Sequence, residues 1–268
     1  MQLRDFAEFH GPALERDEVR HNLILGLLGR LGGGAQDDVR LWTLGGPGQC
    51  AMQTTPHYPI ILGELQRAQC RAFAEQTLDL GYPGVVGIDP IVSWFVERAV
   101  ECGVKFAEPI PQQIHALRET PIYPDVGGAA RVVDAADIEV FAAWLIAFFK
   151  EAVPHDALPS REALEKTAAA GNYRFWIVDG APVSMAGIVR RTRHAAAIAG
   201  VYTPPPLRRR GYAGSVTAAV VDAVFAEGRT TACLYSDLRN PASNRCYANI
   251  GFKPVCRAWH YARKKLTR

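Results

Sequence analysis

The 268-residue sequence is defined first by what it does not contain. None of its six cysteines, Cys50, Cys70, Cys102, Cys233, Cys246 and Cys256, stands in a C-x-x-C pair, so neither a zinc ribbon nor a redox dithiol is written. So few thiols in a long chain read as reduced, which favours a cytoplasmic protein over a secreted disulfide framework. The seven histidines form neither H-x-x-x-H nor H-E-x-x-H, and no metal is expected. A surplus of one charge is missing too. Thirty Lys plus Arg against 27 Asp plus Glu leave a net +3, which gives no footprint for a nucleic-acid partner. Met1 to Phe6 hold no apolar signal core. The longest apolar run, Phe141 to Phe149, falls far short of the ~20 residues that span a bilayer. It reads as a buried helix, and no membrane partner is expected. G-x-S-x-G is absent, as is a G-x-G-x-x-G after a strand, which excludes a hydrolase elbow and a dinucleotide-binding turn.

What is present is an ordinary globular composition, 49% hydrophobic and 21% charged, long enough to bury a core without staples. The patterning predicts an α/β protein with two halves of similar element order. In the first half a helix runs from about Glu15 to Leu31, where Leu23, Leu27 and Leu31 share a face, and Gly32-Gly33-Gly34 stop it as a loop. Strands are expected over Val39–Leu44, Gln49–Thr55 and Tyr58–Leu62. A helix over Glu64–Leu80 and a strand over Gly84–Ile88 follow. Asp89-Pro90 reads as a helix start, Asp89 as the N-cap and Pro90 in the first turn, and Gly103 ends that helix; two short strand-like pieces lie near Lys105 and Ile114. Glu119 to Ala129, with Pro121, Pro124, Gly127 and Gly128, read as a linker between domains 1–120 and 130–268. The second half gives a strand over Ala130–Val133, a helix capped by Asp134 running to about Val153, and a helix from Ser160 to Gly171. A hairpin about Asp179-Gly180 and a strand over Ala195–Thr203 come next. Helix Gly211–Glu227, strand Thr230–Tyr235, helix Pro241–Ile250 and strand Lys253–Tyr261 complete it.

One stretch carries chemistry. Strand residues Val201, Tyr202 and Thr203 run into Pro204-Pro205-Pro206, then into the basic turn Arg208-Arg209-Arg210-Gly211-Tyr212-Ala213-Gly214, which opens a helix. Proline donates no amide hydrogen, so three of them break the ladder and splay the strand from its neighbour. The first amides of a helix have no partner inside it. With the helix dipole and three arginines, those from Arg209 to Gly214 form a diphosphate site. Gly211 and Ala213 are small enough for a ligand backbone to come close.

The second stretch is Asn240-Pro241-Ala242-Ser243-Asn244-Arg245-Cys246-Tyr247-Ala248-Asn249-Ile250-Gly251-Phe252. With it, residues 130–262 resemble the GCN5-related N-acetyltransferase (GNAT) superfamily. Arg208, Gly211 and Ala213 match its R/Q-x-x-G-x-G/A turn. Asn240, Tyr247, Gly251 and Phe252 match its N-x-x-A-x-x-x-Y-x-x-x-G-F segment, with Ser243 where alanine is usual. The resemblance implies a mixed sheet flanked by helices, with acetyl-CoA as cosubstrate. It also implies a small-molecule or peptide amine as acceptor. Backbone groups of Val201, Tyr202 and Thr203 would pair with the pantetheine arm. Amides from Arg209 to Gly214 would cradle the pyrophosphate beside Arg208, and Asn240 and Asn244 would hold the arm from the other side. Tyr247 would be the general acid toward the departing thiolate, a role that suits a phenol whose ordinary pKa is about 10.

Many members place a glutamate on the strand before the turn. Here Ala195 to Val201 carry no carboxylate. The base is then His194, Glu151, Asp237 or a water chain, or the amine arrives neutral. A non-catalytic acyl-CoA sensor is therefore the alternative function. Arg190, Arg191, Arg193 and His194 form a basic hairpin end that reads as solvated, and 263–268 a basic tail. The first half reads as a degenerate GNAT-like copy. Its counterpart of the phosphate turn, Leu62-Gly63-Glu64, has a carboxylate and no arginine, so it is expected to bind no coenzyme A and to shape the acceptor pocket. A chain with such an internal pair is expected to be a monomer.

Overall fold

The computed structural model describes residues 1–32, 38–152 and 158–264. Gly33 and Gly34 of the expected loop, Val153 at the expected helix end, and tail residues 265–268 lie outside the described residues. The chain divides into two compact units. Unit 1 holds residues 1–114, 236–239 and 254–268, and unit 2 holds 115–235 and 240–253. The division falls at Ile114 rather than in the proline- and glycine-rich stretch, and the last strand belongs to the first unit.

Unit 1 begins with α1 (Leu3–Leu14), a 3₁₀ turn (Glu15–Asp17) and α2 (Asn22–Leu31). Then come β1 (Arg40–Thr43), β2 (Cys50–Gln53), β3 (Ile60–Leu62), α3 (Arg67–Gln76), β4 (Gly84–Ile88), α4 (Ile91–Glu101) and β5 (Ile110–Leu117), which passes into unit 2 at His115. The sequence hid α1 behind Gly11-Pro12, yet Phe6, His10 and Leu14 recur at helical spacing and are buried. β1, β2 and β3 pair antiparallel, and β3 and β4 parallel, Ile60 opposite Val85. The expected Asp89 cap is corrected. Pro90 takes the N-cap position of α4, and the Asp89 carboxylate instead accepts the Ser93 hydroxyl at 2.6 Å.

Unit 2 repeats this order with β6 (Ala129–Val132), α5 (Ile138–Ala152), α6 (Arg161–Ala169), β7 (Tyr173–Val178), β8 (Ala181–Arg191) and β9 (Ala195–Tyr202). The chain continues with α7 (Tyr212–Ala226), β10 (Thr231–Asp237), α8 (Pro241–Asn249) and β11 (Lys253–Ala262), of which β11 from Pro254 on belongs to unit 1. β6 to β9 pair antiparallel in sequence order, and β9 and β10 parallel. The β7–β8 turn places Asp179 at φ 48° and Gly180 at φ 78°, as a two-residue hairpin of the expected kind requires. Asp134 accepts from the Ala136 amide, and Ser160 caps α6 through the Ala163 amide. One core lies between the sheet and α7 and α8, around Val220, Leu234 and Phe252. A second lies beneath α5 and α6, around Phe141, Tyr173 and Phe175. β11 returns to unit 1 and pairs antiparallel with β4, Ala258 opposite Ile88 and Ala262 opposite Gly84.

His10 shows how unit 1 is tied. It is fully buried. Its Nδ1 accepts the Gly48 amide at 3.1 Å, so the proton sits on Nε2, which donates to Thr43 Oγ1 at 2.9 Å. Burial lowers its pKa below the ordinary 6.5. The unfolded chain therefore takes up this proton first, so stability is full above pH ~6.5 and lost as pH falls toward the folded value. Urea midpoints at pH 7.5 and 5.5 are expected to differ more for the wild type than for His10→Gln.

Candidate active site

The site begins with one extra residue in β9. β9 pairs with β10 only from Ala195 opposite Thr231 to Ile198 opposite Leu234. Against β8, Gly187 lies opposite Ala199 and Met185 opposite Tyr202, so β9 holds one residue more than β8. Gly200 sits in that surplus at φ 65°. Such a bulge bends its strand and ends pairing. The prolines are therefore not the origin of the splay. Pairing with β10 has already stopped at Ile198, and Pro205 to Leu207 make a 3₁₀ turn beyond it. The buried Tyr173 ring explains the glycines. A Cβ on Gly200 would stand 2.6 Å from Tyr173 Cε1, and one on Gly187 2.6 Å from its Cγ.

Gly200 and Val201 both fall outside the ladder with β8, whereas Tyr202 pairs with Met185. The Tyr202 carbonyl accepts the Ser184 hydroxyl at 3.0 Å, and Ser184 Oγ lies 2.8 Å from Thr203 Oγ1. The Thr203 carbonyl accepts Arg208 Nε at 2.8 Å.

The basic turn has the backbone of an anion nest. Arg209 has φ 64° and Gly211 φ 87°, and left-handed residues at alternate positions turn successive N–H groups to one side. The Ser215 amide makes the first bond of α7, to the Gly211 carbonyl at 3.1 Å, so Tyr212, Ala213 and Gly214 lie ahead of the ladder. The side chains of Arg209 and Arg210 are exposed. Arg208 is committed elsewhere. Its Nη2 reaches both oxygens of Glu151 at 3.0 and 2.7 Å, and its guanidinium lies 5.7 Å over the Tyr202 ring. An ion pair this exposed is worth about 0–1 kcal/mol, so it restrains Arg208 only weakly.

The stretch expected as a linker is instead a strap on this turn. The Ile122 amide donates to the Ile250 carbonyl at 3.1 Å, Trp176 Nε1 donates to the Gly127 carbonyl at 3.0 Å, and the Tyr123 hydroxyl bonds Asp222. A Cβ on Gly211 would lie 2.8 Å from Val126 Cγ1, and one on Gly214 2.8 Å from Pro124 Cγ. The chain itself thus comes close enough to Gly211 to exclude a side chain there.

At the second motif, the Asn240 carboxamide oxygen caps α8 by accepting the Ser243 amide at 3.1 Å. Ser243, where alanine was expected, donates its hydroxyl to the Asn240 carbonyl at 3.1 Å. The Asn244 amide also bonds that carbonyl, at 3.2 Å. Tyr247 is buried, its ring 6.2 Å from Phe252 and 6.4 Å from the buried His115. Burial pushes its phenol well above the ordinary value, so it keeps its proton at neutral pH.

Two of the base candidates read from sequence have arginine partners, and the third is exposed. Glu151 is spent on Arg208. Burial alone would raise the Asp237 carboxyl, but Arg239 binds both its oxygens and the net shift is downward. His194 is exposed. The basic hairpin end is partly a clamp, Arg191 bonding both oxygens of Glu227 at 2.9 and 2.7 Å. Sequence reasoning missed Ser184, Tyr173, Val126 and His115. Only the two glycines opposite Tyr173 left a signal.

In unit 1 the Leu62-Gly63-Glu64 turn, expected as the counterpart, is closed. The Gly63 amide bonds the Cys50 carbonyl at 2.8 Å and the Glu64 amide the Gly48 carbonyl at 3.0 Å. Glu64 accepts from His21 at 3.0 Å and Arg20 at 3.2 Å, and these partners, His21 foremost, lower its pKa. Among the described residues, no group of His, Cys, Asp or Glu side chains could hold a metal ion, and no helix is long and apolar enough to cross a membrane.

A strand bent from its parallel neighbour above an amide-lined helix start defines the GCN5-related N-acetyltransferase fold, and the chain has that fold. Residues 176–262 match the family model described as FR47-like protein. The chain is similar to a protein of Drosophila melanogaster, with TM-score 0.72 and 15% identity over 98% of this chain and 97% of that one. It is similar to a GCN5-related N-acetyltransferase from Kribbella flavida, with TM-score 0.62 and 19% identity over 92% and 95%. It also resembles a tandem GNAT protein from the clavulanic acid biosynthesis pathway, with TM-score 0.54 and 13% identity over 91% and 89%. No curated protein matches the chain.

Proposed function

We propose that this chain is an acyl-CoA-dependent N-acyltransferase that moves acetyl from acetyl-CoA to a primary amine by direct attack in a ternary complex. The observation that carries the reading is the parting of β9 from β10 at the Gly200 bulge, directly before the left-handed turn at Arg209 and Gly211. When bound, the thioester supplies an activated acyl carbon and a thiolate leaving group. Val201, outside the ladder, offers its backbone to the pantetheine arm, with Tyr202 and Thr203 lining it. The amides from Arg209 to Gly214 hold the diphosphate, and Arg208 swings to it from Glu151. Asn240 and Asn244 flank the arm, and Tyr247 protonates the leaving sulfur.

The closed turn at Gly63 and Glu64 supports a degenerate N-terminal copy that holds no coenzyme. Turnover separates this reading from a sensor, which would bind and release no thiol.

Thermal unfolding with acetyl-CoA tests the site. At ~100 times its dissociation constant a ligand stabilises by about 2.7 kcal/mol. Wild type is expected to shift, and Arg210→Glu, an exposed position, to lose most of the shift at unchanged ligand-free stability. No shift in wild type with any acyl-CoA would overturn the proposal. Gly211→Glu is a poorer variant because its side chain meets Val126.

A further inference from the structure

The reaction needs a proton taken from nitrogen as well as one given to sulfur, and β9 carries no carboxylate to take it. We propose that His115 is the proton acceptor, and that it works with Tyr247 as one relay. This deepens the acyltransferase reading and rests on it.

His115 lies in β5 within unit 2, buried, its ring 6.4 Å from that of Tyr247 and tilted by 58°. A group in ring contact with the acid at the sulfur is within reach of the carbon bonded to that sulfur, where the amine must attack. Burial acts on the two rings in opposite senses. It lowers the imidazole below its ordinary 6.5 and raises the phenol above 10, so at neutral pH the imidazole is unprotonated and the phenol keeps its proton. Pairs driven apart in this way mark acid and base assignments. Cys246 also acts on Tyr247, and burial pushes its thiol up to about 11 and keeps it neutral. The Asp237 carboxylate is held by Arg239 and Glu151 by Arg208, whereas the His115 ring is in contact with that of Tyr247.

The proton count closes. The acceptor enters as the free amine, its ammonium proton left in solvent. The C–N bond forms and the thioester C–S bond breaks. His115 takes the proton that nitrogen sheds, and Tyr247 gives its proton to sulfur, leaving a thiol. Imidazolium then returns a proton to phenolate, and both side chains are as they began.

The test compares wild type with His115→Gln, His115→Phe, Tyr247→Phe and the His115→Phe/Tyr247→Phe double variant. Thiol release from acetyl-CoA is measured with a panel of simple primary amines. Each single variant is expected to lose about 10²-fold or more in rate. The double variant is expected to be no slower than the slower single, because the two act as a unit. His115→Phe keeps an aromatic ring beside Tyr247, and in a further variant, His115→Ala, exogenous imidazole is expected to restore rate. NMR titration of wild type is expected to find the His115 imidazole neutral at pH 7. His115→Phe with a near wild-type rate, multiplicative losses in the double variant, or a protonated His115 at pH 7 would overturn the proposal. So would wild type that binds acetyl-CoA and releases no thiol with any amine. Failure of the acyltransferase reading itself is recognised separately, as the absence of an acetyl-CoA thermal shift in every variant.

Discussion

Gly200→Ala is expected to melt roughly 5–15 °C below wild type and to lose most of its stabilisation by acetyl-CoA. Two costs add. A left-handed backbone costs a non-glycine residue about 1–2 kcal/mol, and forcing a methyl into a filled space costs about 1–3 kcal/mol. Gly200 pays both, with φ 65° and the Tyr173 ring 2.6 Å from the added carbon. Gly180→Ala separates them. Gly180 has φ 78° and nothing within 4 Å of its would-be Cβ, so it pays the backbone cost alone. Differential scanning calorimetry of the two variants, each with and without acetyl-CoA, checks the prediction. A Gly200→Ala protein no less stable than Gly180→Ala would show that the Tyr173 ring moves aside, and intact coenzyme binding would detach the bulge from the site.

Tyr247→Phe is expected to lower thiol release by about 10²–10⁴-fold, the usual worth of a positioned general acid. The acetyl-CoA thermal shift should stay. The variant removes one oxygen and keeps the ring that meets Phe252 and His115 in the core. Loss of rate with binding retained therefore assigns the effect to the proton. A near wild-type rate would make Tyr247 a core aromatic and nothing more.

How much of this was legible depended on how local the cause was. The β7–β8 hairpin, α6 with its Ser160 cap, α7 and α8 were readable, because turn residues and caps act within a few positions of themselves. α1 was not, because Gly11-Pro12 argues against a helix that the burial of Phe6, His10 and Leu14 enforces. The origin of the splay was misplaced for the same reason. Prolines are visible in a sequence, whereas a one-residue surplus against a partner strand exists only once both strands are paired. Arg208 was placed in the right turn, but its partner Glu151 stands 57 positions earlier, and no local rule connects them. The stretch from Pro121 to Gly128 has the composition of a linker. It becomes a strap only because Trp176, Asp222 and Ile250 bond it.

The placement of β11 orders events at the ribosome. β4 is synthesised by residue 88, but the strand that pairs with it ends at residue 262, about 170 residues later. At ~5–20 residues per second that interval is roughly 10–35 s. Throughout it, one edge of β4 is an unpaired row of amides and carbonyls, open to other nascent chains. The first half of the message therefore encodes the unit that is completed last.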